Sequence, residues 1–243
     1  MRLDKYFSEC GLLSRKEAAA AAKAGRISVN SEVCRRADIH IDENSAIVTL
    51  DGEQVVWQRF TYIMLNKPAG YISSTEDGDG PCVIELLPER ERRLGLFPCG
   101  RLDKYTLGLM LLTNDGALSH SLLSPKKHVA KTYRYECRDS LSPENKKKIE
   151  HGIDIGGYVS LPCEIFPDSD GKSGSIVLHE GKYHQIKRMF DAVGNKITAL
   201  ERISFGPLEL DERLERGEWR MLDENEIEQL RSATKKHKKD TEK

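Results

Sequence analysis

Asp103 is the side chain with the most chemistry to offer. It stands in Gly100-Arg101-Leu102-Asp103-Lys104-Tyr105-Thr106-Leu107-Gly108-Leu109. Apolar stretches on either side, 96–99 and 109–113, read as strands, which puts the aspartate on a loop between them. Arg101 and Lys104 flank it, and nearby cations favour an ionised carboxylate. Such a group can act as a nucleophile or as a base. A salt-bridged turn or a helix cap uses the same residue types, so the string alone leaves both readings open. Lys131-Thr132-Tyr133 places a cation and an aromatic two residues apart, on one face of a strand. Tyr133 is either an ordinary sheet tyrosine or a surface on which a planar ligand stacks. Glu180–Phe190 brings His184, Ile186 and Lys187 to the start of an amphipathic helix. Lys187 can pair with Asp191 four residues on or with a carboxylate elsewhere in the chain. Ile186 lies in phase with the apolar stripe of Met189, Phe190 and Val193, so it reads first as core and second as a pocket wall. His184 lacks metal-ligand spacing and a partner nucleophile; a structural hydrogen bond is the expectation. The cysteines, Cys10, Cys34, Cys82, Cys99, Cys137 and Cys163, form no CxxC pair, and no HExxH occurs. The pattern argues against a metal site and for free thiols.

These residues need a scaffold, and the chain supplies one in two parts. Leu3, Tyr6 and Phe7 recur at helical spacing up to Gly11, and Ser14-Arg15-Lys16-Glu17 fits a capping box at the start of an alanine-rich helix that Gly25 stops. Arg26–Asn30 alternates like a strand and Asn30-Ser31 turns the chain. Residues 50–60 read as a linker. Beyond them, strands are predicted at 61–66, 71–74, 96–99, 109–113, 129–137, 175–180 and 196–204. Helices are predicted at 83–87, 116–123, 143–151, 184–193 and 223–232. Strands and helices without βαβ regularity predict an α+β fold. Its larger part would carry a mixed, mainly antiparallel sheet flanked by helices. The domain boundaries expected are 1–55 for the small unit with its linker, 60–232 for the large one, and a basic disordered tail at 233–243.

The chain has 243 residues, 38% of them hydrophobic and 32% charged. That is enough apolar material for a core under a wet surface. No run approaches the roughly 20 apolar residues of a membrane helix, and Met1–Lys5 opens no apolar targeting segment. A cytoplasmic protein is expected, with no membrane partner. The net charge of −1 argues weakly against nucleic acid. Its distribution says more: residues 1–40 hold eight Lys or Arg against five acids, and residues 125–150 hold eight against four. No exposed apolar stripe demands a second copy, so a monomer is expected.

The first 48 residues, through Arg-Leu-Asp-Lys-Tyr, Ser-Arg-Lys-Glu and Gly-Arg-Ile-Ser-Val-Asn, resemble the S4 RNA-binding domain. The resemblance implies that Arg2, Lys5, Arg15, Lys16 and Lys23 contact RNA phosphates; such contacts position a protein without reading sequence. Gly100–Leu109 resembles the central motif of the pseudouridine synthases, G-R-L-D-x-x-T-x-G-L. Lys131-Thr132-Tyr133 and Glu180–Phe190 resemble that family's second and third motifs, in order. The resemblance implies isomerisation of uridine to pseudouridine in RNA without cofactor or metal. It makes Asp103 the catalytic carboxylate, Arg101 the arginine that displaces the target base, and Tyr133 the tyrosine that packs on the flipped uracil. Lys187 becomes the partner of the aspartate and Ile186 a pocket wall. Cys99 departs from the family's usual valine and is likewise small and apolar. The layout and Tyr183–Phe190 favour the subfamily acting on 16S ribosomal RNA, with an assembling small subunit as the partner. A synthase for 23S or transfer RNA stays open, as does a non-catalytic RNA-binding assembly factor.

Overall fold

The structure is a computed structural model and describes residues 1–75, 80–124, 127 and 129–235. It divides into two compact units, one of residues 1–61 with 84–97, the other of residues 62–83 with 98–243.

The first unit contains α1 (Leu3–Glu9), α2 (Arg15–Lys23) and a four-stranded sheet of β1 (Ile27–Val29), β2 (Glu32–Val33), β3 (Val48–Leu50) and β4 (Glu53–Val55), in the order β2-β1-β3-β4. The Ser14 hydroxyl accepts from the Glu17 N–H, and the Glu17 carboxylate accepts from the Ser14 N–H. Leu3, Tyr6 and Phe7 of α1, Ala18, Ala21 and Ala22 of α2, and Ile27 and Val48 of the sheet close one core. Asn30 and Ser31, at φ 52 and 71, make the turn from β1 to β2. Residues 50–55 are not linker: Asp51 (φ 52) and Gly52 (φ 87) turn the chain from β3 into β4, the conformation that an Asp-Gly pair adopts readily. The segment 84–97, expected in the large unit, packs with the first. It carries α3 (Glu89–Arg92), and Arg93 pairs with Glu17 at 3.4 Å. Gly11 (φ 68) lies so close to this segment that a Cβ would collide with the Arg90 carbonyl oxygen.

The second unit is built on a nine-stranded sheet. Its strands are β5 (Tyr62–Lys67), β6 (Phe97–Pro98), β7 (Leu107–Thr113), β8 (Lys131–Cys137), β9 (Glu164–Pro167), β10 (Ser173–Leu178), β11 (Ile197–Phe205), β12 (Leu208–Glu209) and β13 (Trp219–Met221). The main path runs β13-β5-β7-β11-β8-β10-β9, with β12 beside β11 and β6 beside β7. Every pair on that path is antiparallel except β7 with β11. The remaining helices are α4 (Gly116–Leu123), α5 (Pro143–Glu150), α6 (Gln185–Asp191) and α7 (Glu224–Lys235). β8 alternates as expected, with Lys131, Tyr133 and Tyr135 buried on one face and Arg134 exposed on the other. The stretch 71–74 is no strand; it contributes one bridge, Ile72 to Cys82. Helix α7 runs on to Lys235, so residues 233–235 of the expected tail are helical, and 236–243 lie outside the described residues. All six cysteines are free thiols. Among the described residues, no helix is long and apolar enough to cross a membrane.

Candidate active site

A cleft of about 800 Å³ opens in the second unit, and Arg101, Asp103, Tyr133, Ile186 and Lys187 all line it. Sequence positions more than 80 residues apart meet there. The Lys187 ammonium donates to Asp103 Oδ2 at 2.7 Å. The pairing with Asp191 is not the one formed. On the other side of the carboxylate, His184 Nε2 stands 3.5 Å from Asp103 Oδ1. The Asp103 side chain retains 25% of its exposure, so it faces the cleft while held from behind.

The loop that carries Asp103 is fixed by partners on both sides. Ser73 Oγ accepts from the Leu102 N–H at 3.0 Å and donates to the Leu102 carbonyl oxygen at 2.8 Å. The Asp103 carbonyl oxygen accepts from the Thr106 N–H at 3.0 Å. Lys67, at the end of β5, is fully buried and donates to the carbonyl oxygens of Pro68 (3.0 Å), Lys104 (3.1 Å) and Thr106 (3.0 Å). Burial pushes its ammonium down to about 8, and the Asp103 charge opposes that shift. Gly108 (φ 95) admits the close parallel approach of β11, because a Cβ would collide with the Arg202 carbonyl oxygen.

The third motif forms a second clamp. The Glu180 carboxylate accepts from Tyr158 Oη (2.7 Å), from the Leu161 N–H (2.8 Å) and from Gln185 Nε2 (2.7 Å). Gln185 Oε1 in turn accepts from the Lys182 N–H. This network holds His184 in the left-handed conformation (φ 50, ψ 32) as the residue before α6. Histidine tolerates that region better than most side chains. The Tyr183 ring stacks on His184 at 3.9 Å and remains 66% exposed.

Tyr133 presents the buried face of β8 to the cleft and is 9% exposed. Arg101 is exposed. Ile186 is buried and lines the cleft at once, so its core and wall readings coincide. The five basic residues of the first unit are all exposed. Arg2 is engaged by Asp4 and Lys5 by Glu9, while Arg15, Lys16 and Lys23 lie on α2. Lys67, Ser73 and the buried Arg202 join the site without having been singled out from the sequence. Lys131 and Glu180 belong to the second and third motifs, where no role of their own could be read. Lys67 ends β5 after Asn66, and no feature of the sequence marked it out.

A carboxylate that accepts from Lys187 and has the His184 ring beside it, in a cleft with an aromatic wall, is a group able to act as a nucleophile or a base on a bound molecule. The family model described as RNA pseudouridylate synthase matches residues 61–192. An uncharacterized RNA pseudouridine synthase of Bacillus subtilis, YtzG, is 43% identical over 234 residues, covering 95% of this chain and 98% of its own. A ribosomal small subunit pseudouridine synthase A of Vibrio vulnificus is 38% identical over 233 residues, covering 95% and 99%. A crystal structure of a pseudouridylate synthase superposes with a TM-score of 0.66 at 34% identity, covering 95% of this chain and 99% of that one. Matched over more than half its length by the family model and over nearly all of it by these relatives, the chain belongs to the RNA pseudouridylate synthase family.

Proposed function

We propose that the protein converts one uridine of 16S ribosomal RNA to pseudouridine in an assembling small subunit, acting as a monomer with Asp103 as its catalytic carboxylate. The observation that carries the reading is Asp103 facing the cleft between Lys187 and His184, with Tyr133 on the same cleft. The relative named for the small ribosomal subunit supports the choice of RNA.

A uridine in stacked RNA must first be extruded, at a cost of a few kcal/mol. Arg101, exposed and on the cleft, occupies the space the base leaves. Stacking on Tyr133 returns roughly 1–3 kcal/mol. Asp103 then supplies an electron pair to the sugar, at C1′ or by taking the C2′ proton. Lys187 holds the carboxylate aimed through its hydrogen bond to Oδ2. The base turns and re-bonds through C5. Arg2, Lys5, Arg15, Lys16 and Lys23 of the first unit, which resembles the S4 domain, hold the RNA by phosphate contacts.

The test is Asp103→Asn, which keeps size and removes charge. The parent forms pseudouridine in 16S RNA, detected by carbodiimide tagging at a single position. The variant forms none while its RNA affinity stays within about twofold, because the group acts on the reacting sugar and not on phosphates. Near-parental turnover by the variant defeats the assignment of Asp103. Tagging confined to 23S or transfer RNA defeats the assignment of the substrate.

A further inference from the structure

Two cations line the cleft without an acidic partner among the described residues. Lys131 is 9% exposed and Arg202 is 1% exposed. The Lys131 ammonium makes one hydrogen bond among the described residues, to the Val129 carbonyl oxygen at 2.9 Å. It also sits 5.5 Å from the Phe205 ring centre. Arg202 donates to the Leu109 carbonyl oxygen at 2.8 Å and lies over the same ring at 5.2 Å. A lysine has three donors, so Lys131 retains donor capacity toward the cleft. Burying two like charges side by side is costly unless something negative meets them. Burial and the Arg202 charge together push the Lys131 ammonium down to about 8.

The placement says what that negative partner is. Lys131 and Tyr133 share one face of β8, two residues apart. That is a rise of about 6–7 Å along the strand, so a ring stacked on Tyr133 brings its edge toward the lysine. Val129, Leu178, Leu200 and Ile186 line the same cleft and give it apolar walls. Such walls fit the plane of a base and strip water from a phosphate.

Resting on the reading of Asp103 and Tyr133 above, we propose that Lys131, backed by Arg202, binds a carbonyl oxygen of the detached uracil and stabilises its negative charge. When the C1′–N1 bond breaks, its electron pair leaves on the ring and spreads over N1 and the carbonyl oxygens. Asp103 supplies the compensating pair, bonding C1′ or holding the C2′ proton until it is returned. C5 then bonds C1′, Asp103 is released, and the C5 proton passes through solvent to N1. Atoms balance without a co-reactant. Lys131 meets the charge where it develops, as a preorganised donor in a dry site does.

The experiment compares Lys131→Met with the parent in single-turnover reactions on two RNAs, one with uridine and one with 5-fluorouridine at the target. Fluorine stabilises the departing anion, and cleavage is read as loss of the N-linked nucleoside by mass spectrometry. The variant is expected to lose at least about tenfold in rate on uridine RNA and distinctly less on the fluorinated RNA. RNA affinity should stay near the parent's. Comparing two substrates on one variant cancels any loss of folded protein. A loss within about twofold, or an equal loss on both RNAs, overturns the proposal while leaving Asp103 in place. A parent that forms no pseudouridine overturns it together with the function on which it rests.

Discussion

Replacing Lys67 with Met asks whether a buried ammonium fixes the loop bearing Asp103. Its three acceptors include the carbonyl oxygens of Lys104 and Thr106, one and three residues past the aspartate. Hydrogen bonds from a charged donor are worth ~1.5–3 kcal/mol each, so three contribute ~4.5–9 kcal/mol. Opposing them is burial, which lowers the ammonium from 10.5 to about 8, a penalty of roughly 3 kcal/mol. The hydrogen bonds win, and the thioether of Met satisfies none of the three carbonyls. The expected loss of stability is about 3 kcal/mol. Trp219, which pairs with Leu65 of the same strand that Lys67 ends, reports unfolding of this region in urea. The loop keeps its Ser73 contacts but loses its second anchor, and a displacement of about 1 Å at Asp103 costs on the order of 100-fold in rate. Single-turnover rates at saturating RNA measure that directly. A variant that unfolds at the parental urea concentration and turns over at the parental rate refutes the reasoning. A destabilised variant with an undiminished rate refutes the positioning role.

Gly108→Ala should cost about 3 kcal/mol or more, since it combines positive φ with a backbone collision. Gly52→Ala, at φ 87 with nothing within 4 Å, should cost only about 1–2 kcal/mol; thermal unfolding separates the two, and equal losses would discount the collision with Arg202. Lys67 and Lys131 both have folded pKa values of about 8, below the ordinary 10.5. Their burial penalty is therefore full below pH 8 and relieved as pH climbs toward 10.5. Urea unfolding should show their contribution to stability rising between pH 8 and 10.5, with a flatter rise in Lys131→Met. Neutralising Arg15, Lys16 and Lys23 together should reduce the slope of log affinity against log salt by about 0.7–0.9 for each phosphate they neutralise in the parent; an unchanged slope in filter binding removes α2 from the RNA interface.

Local rules explain what could be read from the chain. The Ser14–Glu17 box, the alternation of β8 and the stripe of α6 each depend on residues within one turn or one strand, and each stands where the pattern put it. The three motifs named residues that converge on the cleft and, through the resemblance, paired Lys187 with Asp103; spacing alone left Lys187 open to Asp191, and the fold forms the pair with Asp103. Residues 50–60 read as a linker, although Asp51-Gly52 within them is a hairpin signal that the β3–β4 turn realises. Tyr71–Ser74 had strand-like composition, yet Ser73 spends its hydroxyl on Leu102 and the stretch joins no ladder. Lys67 and Arg202 could not be recognised beforehand, because nothing local distinguishes a buried cation on a strand from one that reaches water.

The interleaving of 84–97 with residues 1–61 bears on how the nascent chain matures. Gly11 and Glu17 can meet Arg90 and Arg93 only after residue 93 has been made, by which time β5 has also been synthesised. The amino-terminal part is thus finished by a piece encoded beyond the first strand of its neighbour. A transplant cut between residues 55 and 60 takes the body and leaves the closing piece behind. Moving this amino-terminal unit to another protein requires the whole stretch to residue 97, or a designed substitute for the surface that α3 covers.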